Sequence, residues 1–94
     1  MNKFDLISIE KAKQLAMENE YIVVDLRSRS EFDKSHIENA INIPDGDIEK
    51  INRFGRKENI WILYCRRGSL SFRLASDMAA NGYKVMAVVG GYRM

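Results

Sequence analysis

The predicted fold is decided by one segment, Ile60-Trp61-Ile62-Leu63-Tyr64-Cys65-Arg66-Arg67-Gly68-Ser69-Leu70-Ser71. Its first five residues are apolar without polar alternation, which is typical of a strand buried on both faces of a sheet. The only cysteine of the chain follows, and a loop with two arginines, a glycine and two serines comes next. Apolar residues then recur at helical spacing up to Asn81-Gly82, so the sequence predicts a helix over about 69–81. A thiol therefore lies where a buried strand is followed by a helix N-terminus.

This position favours an ionised thiol at Cys65. A helix N-terminus presents unpaired N–H groups and a partial positive charge, and Arg66 and Arg67 add two full charges. Such surroundings lower the pKa of a cysteine and increase its reactivity. Gly68 tolerates a positive φ, so the loop 65–71 is able to turn its N–H groups inward and bind an anion. The structural alternative is that Cys65 is a small apolar residue that ends a core strand.

Composition and charge indicate a soluble globular protein with one domain over residues 1–94. Hydrophobic residues make up 46% of the chain and charged residues 30%, and the net charge of +2 is too small to imply binding to nucleic acid. One cysteine cannot form an internal disulfide, which fits a reducing, cytoplasmic location. The N-terminus lacks a signal-peptide pattern and the longest apolar run, 60–65, is short, so we expect neither secretion nor a membrane span.

Short apolar runs alternate with helical patterns along the rest of the chain. The predicted strands are Leu6-Ile7, 21–25, 40–43, 60–64 and one within 83–89. The first predicted helix covers 9–19 with Ser8 as its N-cap, and the last covers 69–81. A short helix begins at the capping box Ser28–Glu31 and carries Phe32 inward. Another helix follows 45–47 and buries Ile48 and Ile51. This alternation predicts an α/β fold with a central, mainly parallel five-stranded sheet and helices on both faces.

Four motifs in chain order resemble the single-domain rhodanese family. Val24-Asp25-Leu26-Arg27 resembles the family's Asp-x-Arg motif, and Ser35 to Pro44, which follows Glu31-Phe32, resembles its Gly-His-Ile-x-Gly-Ala-x-Asn-Ile-Pro segment. Loop 65–71 resembles the Cys-x-x-Gly-x-x-Ser active loop. Gly90-Gly91-Tyr92 resembles the Gly-Gly-aromatic motif near the end of the family's sequences. Ser35 and Asn39 replace frequent glycines in loops, where asparagine tolerates the left-handed conformation. Leu70 stands where many members have an arginine, and the sequence ends at Met94, where many continue with a further helix.

The resemblance implies a rhodanese-like fold and a sulfurtransferase. The Cys65 thiolate would take a sulfane sulfur from a donor such as thiosulfate, form a persulfide and pass the sulfur to a thiol or to cyanide. The residues implied to bind the substrate are those of the active loop, Arg66, Arg67, Gly68, Ser69, Leu70 and Ser71. The implied partners are a small anionic sulfur donor and a protein or small-thiol acceptor, with no cofactor, metal, nucleic acid or membrane.

Four residues outside the loop are candidates for a supporting role. Asp25 is a candidate acceptor of hydrogen bonds from the active loop or from Arg27, which is also a candidate partner of Glu31. The simpler interpretation, which we favour, is a structural ion pair that fixes the end of a strand. His36 is a candidate general base, but a thiolate of low pKa needs no base. We therefore favour a packed histidine that binds backbone.

Several loop residues also have structural interpretations. Arg66 and Arg67 either bind an anion or are solvated. Ser69 and Ser71 either cap the following helix, which we favour, or contact the persulfide. Trp61 is expected in the core.

Two other functional classes compete with sulfur transfer. Cysteine phosphatases and arsenate reductases also hold a thiolate in an anion-binding loop, but their Cys-x5-Arg pattern would place an arginine at position 71. Ser71 occupies that position and the next arginine is Arg73, which disfavours this class. The other class is a non-catalytic rhodanese-like module that binds a protein, against which Cys65 argues.

Overall fold

The computed structural model describes residues 3–92, without the side chain of Ile48, as a five-stranded sheet with helices. The strands are β1 (Asp5–Ile7), β2 (Tyr21–Asp25), β3 (Ile41–Asn42), β4 (Ile60–Tyr64) and β5 (Lys84–Val88). The helices are α1 (Ile9–Leu15), α2 (Arg29–Lys34), α3 (Ile48–Phe54) and α4 (Ser69–Ala80), and Pro44–Gly46 forms a 3-10 turn. The predicted α/β alternation is confirmed. Within residues 3–92, no helix is long and apolar enough to cross a membrane.

All strand pairs are parallel, and the strand order is β1-β5-β4-β2-β3. The central strand β4 therefore lies between β5 and β2. Asp25 and Tyr64 are partners in the register of β2 and β4, so these two strands end side by side. Because parallel strands share one carboxyl edge, the residues that follow Asp25 and Tyr64 meet there.

Helices cover both faces of the sheet, as the buried run 60–64 predicted. One core cluster joins β4 to α3 and α4 through Trp61, Leu63, Ile51, Leu74 and Met78. The other joins the opposite face of β4 to α1 and to residues near α2 through Ile62, Tyr64, Ala12, Leu15 and Ile37. Successive side chains of a strand point to opposite faces, so both faces of β4 must be apolar. Each large side chain buried in this way contributes about 1.5–3 kcal/mol.

Helix α1 and strand β3 are shorter than the sequence predicted. Helix α1 ends at Leu15 and not at residue 19, because the exposed residues after Ala16 offer no further apolar side chain to the core. The Asn39 side-chain amide instead donates to the Ala16 carbonyl at 3.2 Å, and Asn39 has the left-handed φ of 73° that the sequence allowed. Strand β3 covers only Ile41–Asn42 of the predicted 40–43.

Helix α2 begins beside the carboxyl edge of the sheet, at the N-cap that the sequence predicted. Ser28 begins the helix, and its hydroxyl oxygen accepts from the Glu31 N–H at 3.3 Å. The same hydroxyl donates to Glu31 Oε1 at 3.1 Å, which fixes the carboxylate. Phe32 is half-buried against the core, and Ile51 of α3 is fully buried, as predicted. The predicted burial of Ile48 concerns a side chain outside the described part of the structure.

Candidate active site

Cys65 follows β4 directly and lies at the base of a shallow depression of about 300 Å³, here named the Cys65 depression. Only 5% of the residue is exposed, so a reactant has access to the sulfur from one side. The other residues that line the depression are Leu26, Arg27, Ser28, Glu31, Arg66, Arg67, Ser69 and Leu70. They come from the ends of β2 and β4 and from the starts of α2 and α4, which the parallel sheet brings together.

The loop after Cys65 turns its backbone donors toward the sulfur. Gly68 has a φ of +92°, the left-handed conformation expected for it, and its N–H donates to Cys65 Sγ at 3.0 Å. Burial by itself raises the pKa of Cys65. The backbone N–H groups of Ser71, Arg67 and Gly68, together with the adjacent Ser71 hydroxyl, outweigh burial, so the net effect lowers this pKa below its ordinary value. Such a loop stabilises an anion on the sulfur.

The two serines of the loop do not cap α4, contrary to the favoured prediction. Gly68 is the N-cap, and within residues 3–92 no side chain forms the capping hydrogen bond. Ser71 is fully buried, and its hydroxyl donates to the Gly68 carbonyl at 2.9 Å while its oxygen lies 3.6 Å from Cys65 Sγ. It therefore braces the loop from inside. Ser69 is exposed and lines the depression.

The loop arginines lie at the rim of the depression. Arg66 and Arg67 are both exposed, and Arg66 Nε is 3.9 Å from Glu31 Oε2. Glu31 thus forms an ion pair with Arg66, whereas the sequence analysis gives Arg27 as its candidate partner. The Ser28 hydroxyl holds the Glu31 carboxylate near the loop. Arg67 forms no ion pair with another described residue. Leu70 is half-buried and supplies apolar surface beside the arginines.

Asp25 and Arg27 form a buried ion pair at the end of β2. Their side chains are 0% and 2% exposed, and Arg27 binds Asp25 through its backbone N–H at 2.8 Å and through its guanidinium at 2.8 Å. Burial acts to lower the pKa of Arg27, but the hydrogen bonds and charge of Asp25 outweigh burial and raise it. Among the described residues no hydrogen bond joins the active loop to Asp25, so the pair fixes the strand end, which is the interpretation that the sequence favoured.

His36 lies outside the Cys65 depression. It is exposed, its ring stacks on Phe32 with 3.7 Å between ring centroids, and its Nδ1 is 2.7 Å from the Phe32 carbonyl. This is the geometry of a histidine that binds backbone. Within residues 3–92, no group of three or more His, Cys, Asp or Glu side chains is placed to hold a metal ion.

Two residues near the site had no role in the sequence interpretation. The Tyr92 N–H donates to the Cys65 carbonyl at 2.9 Å, and the Tyr92 hydroxyl is 2.6 Å from Ser35 Oγ. The motif Gly90-Gly91-Tyr92 marked the position, but a motif by itself does not show which elements the aromatic ring contacts. Tyr64 lies behind the site, where burial raises its pKa and its hydroxyl accepts from the Ile37 N–H at 3.1 Å.

Comparisons with known proteins agree with this geometry. The family model of the rhodanese-like domain matches residues 8–93. The putative sulfur carrier protein YrkF of Bacillus subtilis is 36% identical over 90 residues, which are 93% of this chain and 48% of that protein. The thiosulfate sulfurtransferase GlpE of Coxiella burnetii is 25% identical over 87 residues, which are 92% of this chain and 81% of that protein.

A solved structure has the same fold. The rhodanese-like domain protein from Staphylococcus aureus superposes with a TM-score of 0.77 and 27% identity, over 94% of this chain and 87% of that one. The chain spans between 12% and 48% of the length of three curated relatives that it matches, YrkF among them. The matched region includes β2 to β5 and the loop that holds Cys65. This chain belongs to the rhodanese-like domain family.

Proposed function

We propose that this protein is a sulfurtransferase that carries a sulfane sulfur as a persulfide on Cys65. The observation that carries the proposal is the geometry of the loop: Cys65 Sγ accepts the Gly68 N–H at 3.0 Å at the base of an open depression. A sulfur held in this way is nucleophilic because its pKa is lowered, and the same donors stabilise the negative charge of a persulfide. The sulfurtransferase GlpE, which is similar over most of its length, supports this choice of reaction.

The first half of the reaction loads the cysteine. The Cys65 thiolate attacks the outer sulfur of a donor such as thiosulfate and forms a sulfur–sulfur bond. The sulfur–sulfur bond of the donor breaks, and sulfite leaves with its electron pair, so no external oxidant is required. The charges of Arg66 and Arg67 at the rim attract the anionic donor. The loop N–H groups stabilise the negative charge of the persulfide by hydrogen bonding.

The second half unloads the outer sulfur. A thiolate of a small molecule or protein, or cyanide, attacks the outer sulfur of the persulfide, and the Cys65 thiolate leaves with its electron pair. The products are a new persulfide or thiocyanate and the free enzyme. The wide opening of the Cys65 depression suits acceptors of different size, which includes a cysteine on a flexible segment of another protein.

The competing functional classes are weaker explanations of the same loop. A phosphatase of the Cys-x5-Arg type needs a guanidinium over the bound anion, but position 71 holds a buried serine whose hydroxyl donates to the Gly68 carbonyl. A module that only binds proteins has no use for backbone donors aimed at a cysteine sulfur. These donors are the feature that favours catalysis.

The test is intact-protein mass spectrometry after exposure to thiosulfate. We expect a gain of one sulfur atom per chain, removal of this sulfur by cyanide, and no gain in Cys65→Ser. Absence of the added sulfur with thiosulfate and with a panel of organic thiosulfonates and persulfides would contradict sulfur transfer. A phosphoryl adduct on Cys65 after a separate exposure to a phosphate monoester such as p-nitrophenyl phosphate, with release of the alcohol, would instead support the phosphatase class.

A further inference from the structure

The chain returns to the active loop after its last strand. Strand β5 ends at Val88, and Gly90 and Gly91 then have left-handed φ angles of +81° and +72°. This turn brings the Tyr92 N–H to the Cys65 carbonyl at a distance of 2.9 Å. The peptide that begins the active loop is therefore held from outside the loop.

The contact between Gly91 and the loop leaves no room for a side chain. A Cβ on Gly91 would lie 2.3 Å from the Arg66 carbonyl oxygen and 2.8 Å from the Cys65 carbonyl oxygen. Real Cβ atoms do not approach backbone atoms this closely, so one of the two segments would have to move. Gly90 has nearly the same φ, but a Cβ there would meet no atom of the described residues within 4 Å.

The Tyr92 side chain is anchored on two other elements. Its ring lies over the Arg27 guanidinium, with 4.5 Å between Cζ and the ring centroid, and its hydroxyl is 2.6 Å from Ser35 Oγ. Arg27 in turn is fixed by Asp25 and donates to the Ser35 carbonyl. A cation over an aromatic ring at this distance is attractive. The buried ion pair at the end of β2 thus positions Tyr92, and Tyr92 positions the first peptide of the loop.

We propose that Gly91 and Tyr92 form a latch that holds the Cys65 loop in its anion-binding conformation, with Tyr92 as a positioning residue. The latch acts on the Cys65–Arg66 peptide. The donors that surround the sulfur come from the residues directly after this peptide, and one of them, the Gly68 N–H, donates to Sγ at 3.0 Å. A rotation of the first peptide turns these donors away from Sγ. The proposal rests on the proposed function only in assigning the resulting reactivity to sulfur transfer.

Gly91→Ala and Gly90→Ala are a matched pair for the test. Both substitutions place an alanine at a positive φ and carry a similar backbone penalty, but only Gly91→Ala pushes against the loop. Neither changes the charged side chains that face the depression, namely Arg27, Glu31, Arg66 and Arg67. The readout is the rate of Cys65 alkylation by iodoacetamide as a function of pH, with Cys65→Ser as the blank.

We expect Gly91→Ala to lower the alkylation rate at neutral pH by roughly twofold to tenfold, the effect of one lost hydrogen bond to the loop. The pH midpoint of Cys65 alkylation should move upward in Gly91→Ala, toward that of a free cysteine. In Gly90→Ala it should stay at the wild-type value. Equal midpoints in the two variants would overturn the latch. Circular dichroism and thermal unfolding report whether each variant is folded.

Tyr92→Ala decides the question if Gly91→Ala does not fold. It removes the ring over Arg27 and the hydroxyl at Ser35 but creates no clash. We expect the alkylation midpoint to move in the same upward direction, and a wild-type midpoint in this variant would overturn the role of Tyr92. These readouts need no sulfur donor. If thiosulfate fails to load Cys65 while the alkylation results are as expected, the proposed function fails and the latch stands.

Discussion

The two ends of the sheet carry hollows of opposite character. The hollow at the amino ends of β1, β4 and β5, here named the amino-end hollow, has a volume of about 460 Å³, whereas the Cys65 depression has about 300 Å³. The amino-end hollow is lined by Lys3, Phe4, Asp5, Ile60, Tyr83, Lys84, Val85 and Met86. Its three charged residues are exposed to solvent. The candidate site is therefore not the larger of these two hollows.

Buried polar groups distinguish the two ends. Among the described residues, the buried polar side chains are Asp25, Arg27 and Ser71, and all three lie at the carboxyl end of the sheet. Burial of such groups costs free energy unless each has a partner, and each of them has one here. The carboxyl end also receives the N-terminus of α4, whose N–H groups are not used within the helix. The groups suited to stabilise an anionic sulfur therefore lie around the smaller hollow, which is the candidate site.

Substitutions at the two ends of the sheet should have very different effects on activity. Cys65→Ser is nearly isosteric, so we expect it to fold and to lose sulfur transfer to the background rate, because a hydroxyl cannot form the persulfide. Tyr83→Phe at the amino-end hollow removes a hydroxyl that donates to Asn52. It should cost about 0.5–1.5 kcal/mol of stability and leave turnover unchanged. Steady-state assays with thiosulfate and cyanide would measure both, and turnover by Cys65→Ser at the wild-type rate would exclude Cys65 as nucleophile.

A second test compares a buried and an exposed ion pair. Asp25→Ala leaves the Arg27 charge buried without its partner, and we expect a loss of about 3–5 kcal/mol in the free energy of unfolding. The control is Asp33→Ala, which breaks the exposed pair with Arg29 in α2 and should cost about 0.5 kcal/mol or less. Urea denaturation of the variants provides these values. If the two variants lost similar amounts of unfolding free energy, the buried Asp25–Arg27 pair would stabilise the fold no more than an exposed pair does.

Ser71→Ala tests how much the buried hydroxyl of the loop contributes to the lowered pKa of Cys65. The substitution removes a hydroxyl that braces Gly68 and lies 3.6 Å from Cys65 Sγ, so the pKa of Cys65 should rise from its lowered value. At neutral pH less thiolate is then present, and alkylation should slow by roughly twofold to tenfold. The same change at Ser76, farther along α4, is the control. A pH profile of alkylation that is identical in Ser71→Ala and wild type would refute the contribution of this hydroxyl.

We expect the smallest effect from the two arginines at the rim of the Cys65 depression, which should change the KM for thiosulfate. Arg66→Gln and Arg67→Gln should each raise the KM for thiosulfate by about twofold to fivefold at low salt and weaken its salt dependence. The effect of Arg67 should be the larger, because Glu31 already offsets part of the Arg66 charge at 3.9 Å. Glu31→Gln is the complementary variant and should lower the KM. Insensitivity of the KM to all three substitutions at low ionic strength would mean that the rim charges do not bind the donor.

The sequence predicted the elements that local patterns determine. The apolar run 60–64, the cap at Ser28 and the positive φ of Gly68 depend on residue type and near neighbours, and all three are present in the structure. The strand order could not be predicted from these patterns. It follows from packing between distant segments, and it decides that the ends of β2 and β4 meet.

The errors at the site have the same origin. Ser69 and Ser71 suit a helix cap by residue type, but the turn that aims N–H groups at Cys65 places Gly68 at the cap and buries Ser71. The contact of Tyr92 with Ser35 joins residues 57 positions apart, and no local pattern encodes it. Contacts of this kind become visible only when the fold is known.

The most direct test of Cys65 as a sulfur-carrying nucleophile separates the two halves of the reaction. The protein is mixed with excess thiosulfate in the absence of an acceptor, and the sulfite released is measured against the amount of protein. We predict a rapid release of one equivalent of sulfite per chain, followed by one equivalent of thiocyanate when the desalted protein is given cyanide. No release above that of Cys65→Ser, or release only when donor and acceptor are present together, would contradict a persulfide on Cys65.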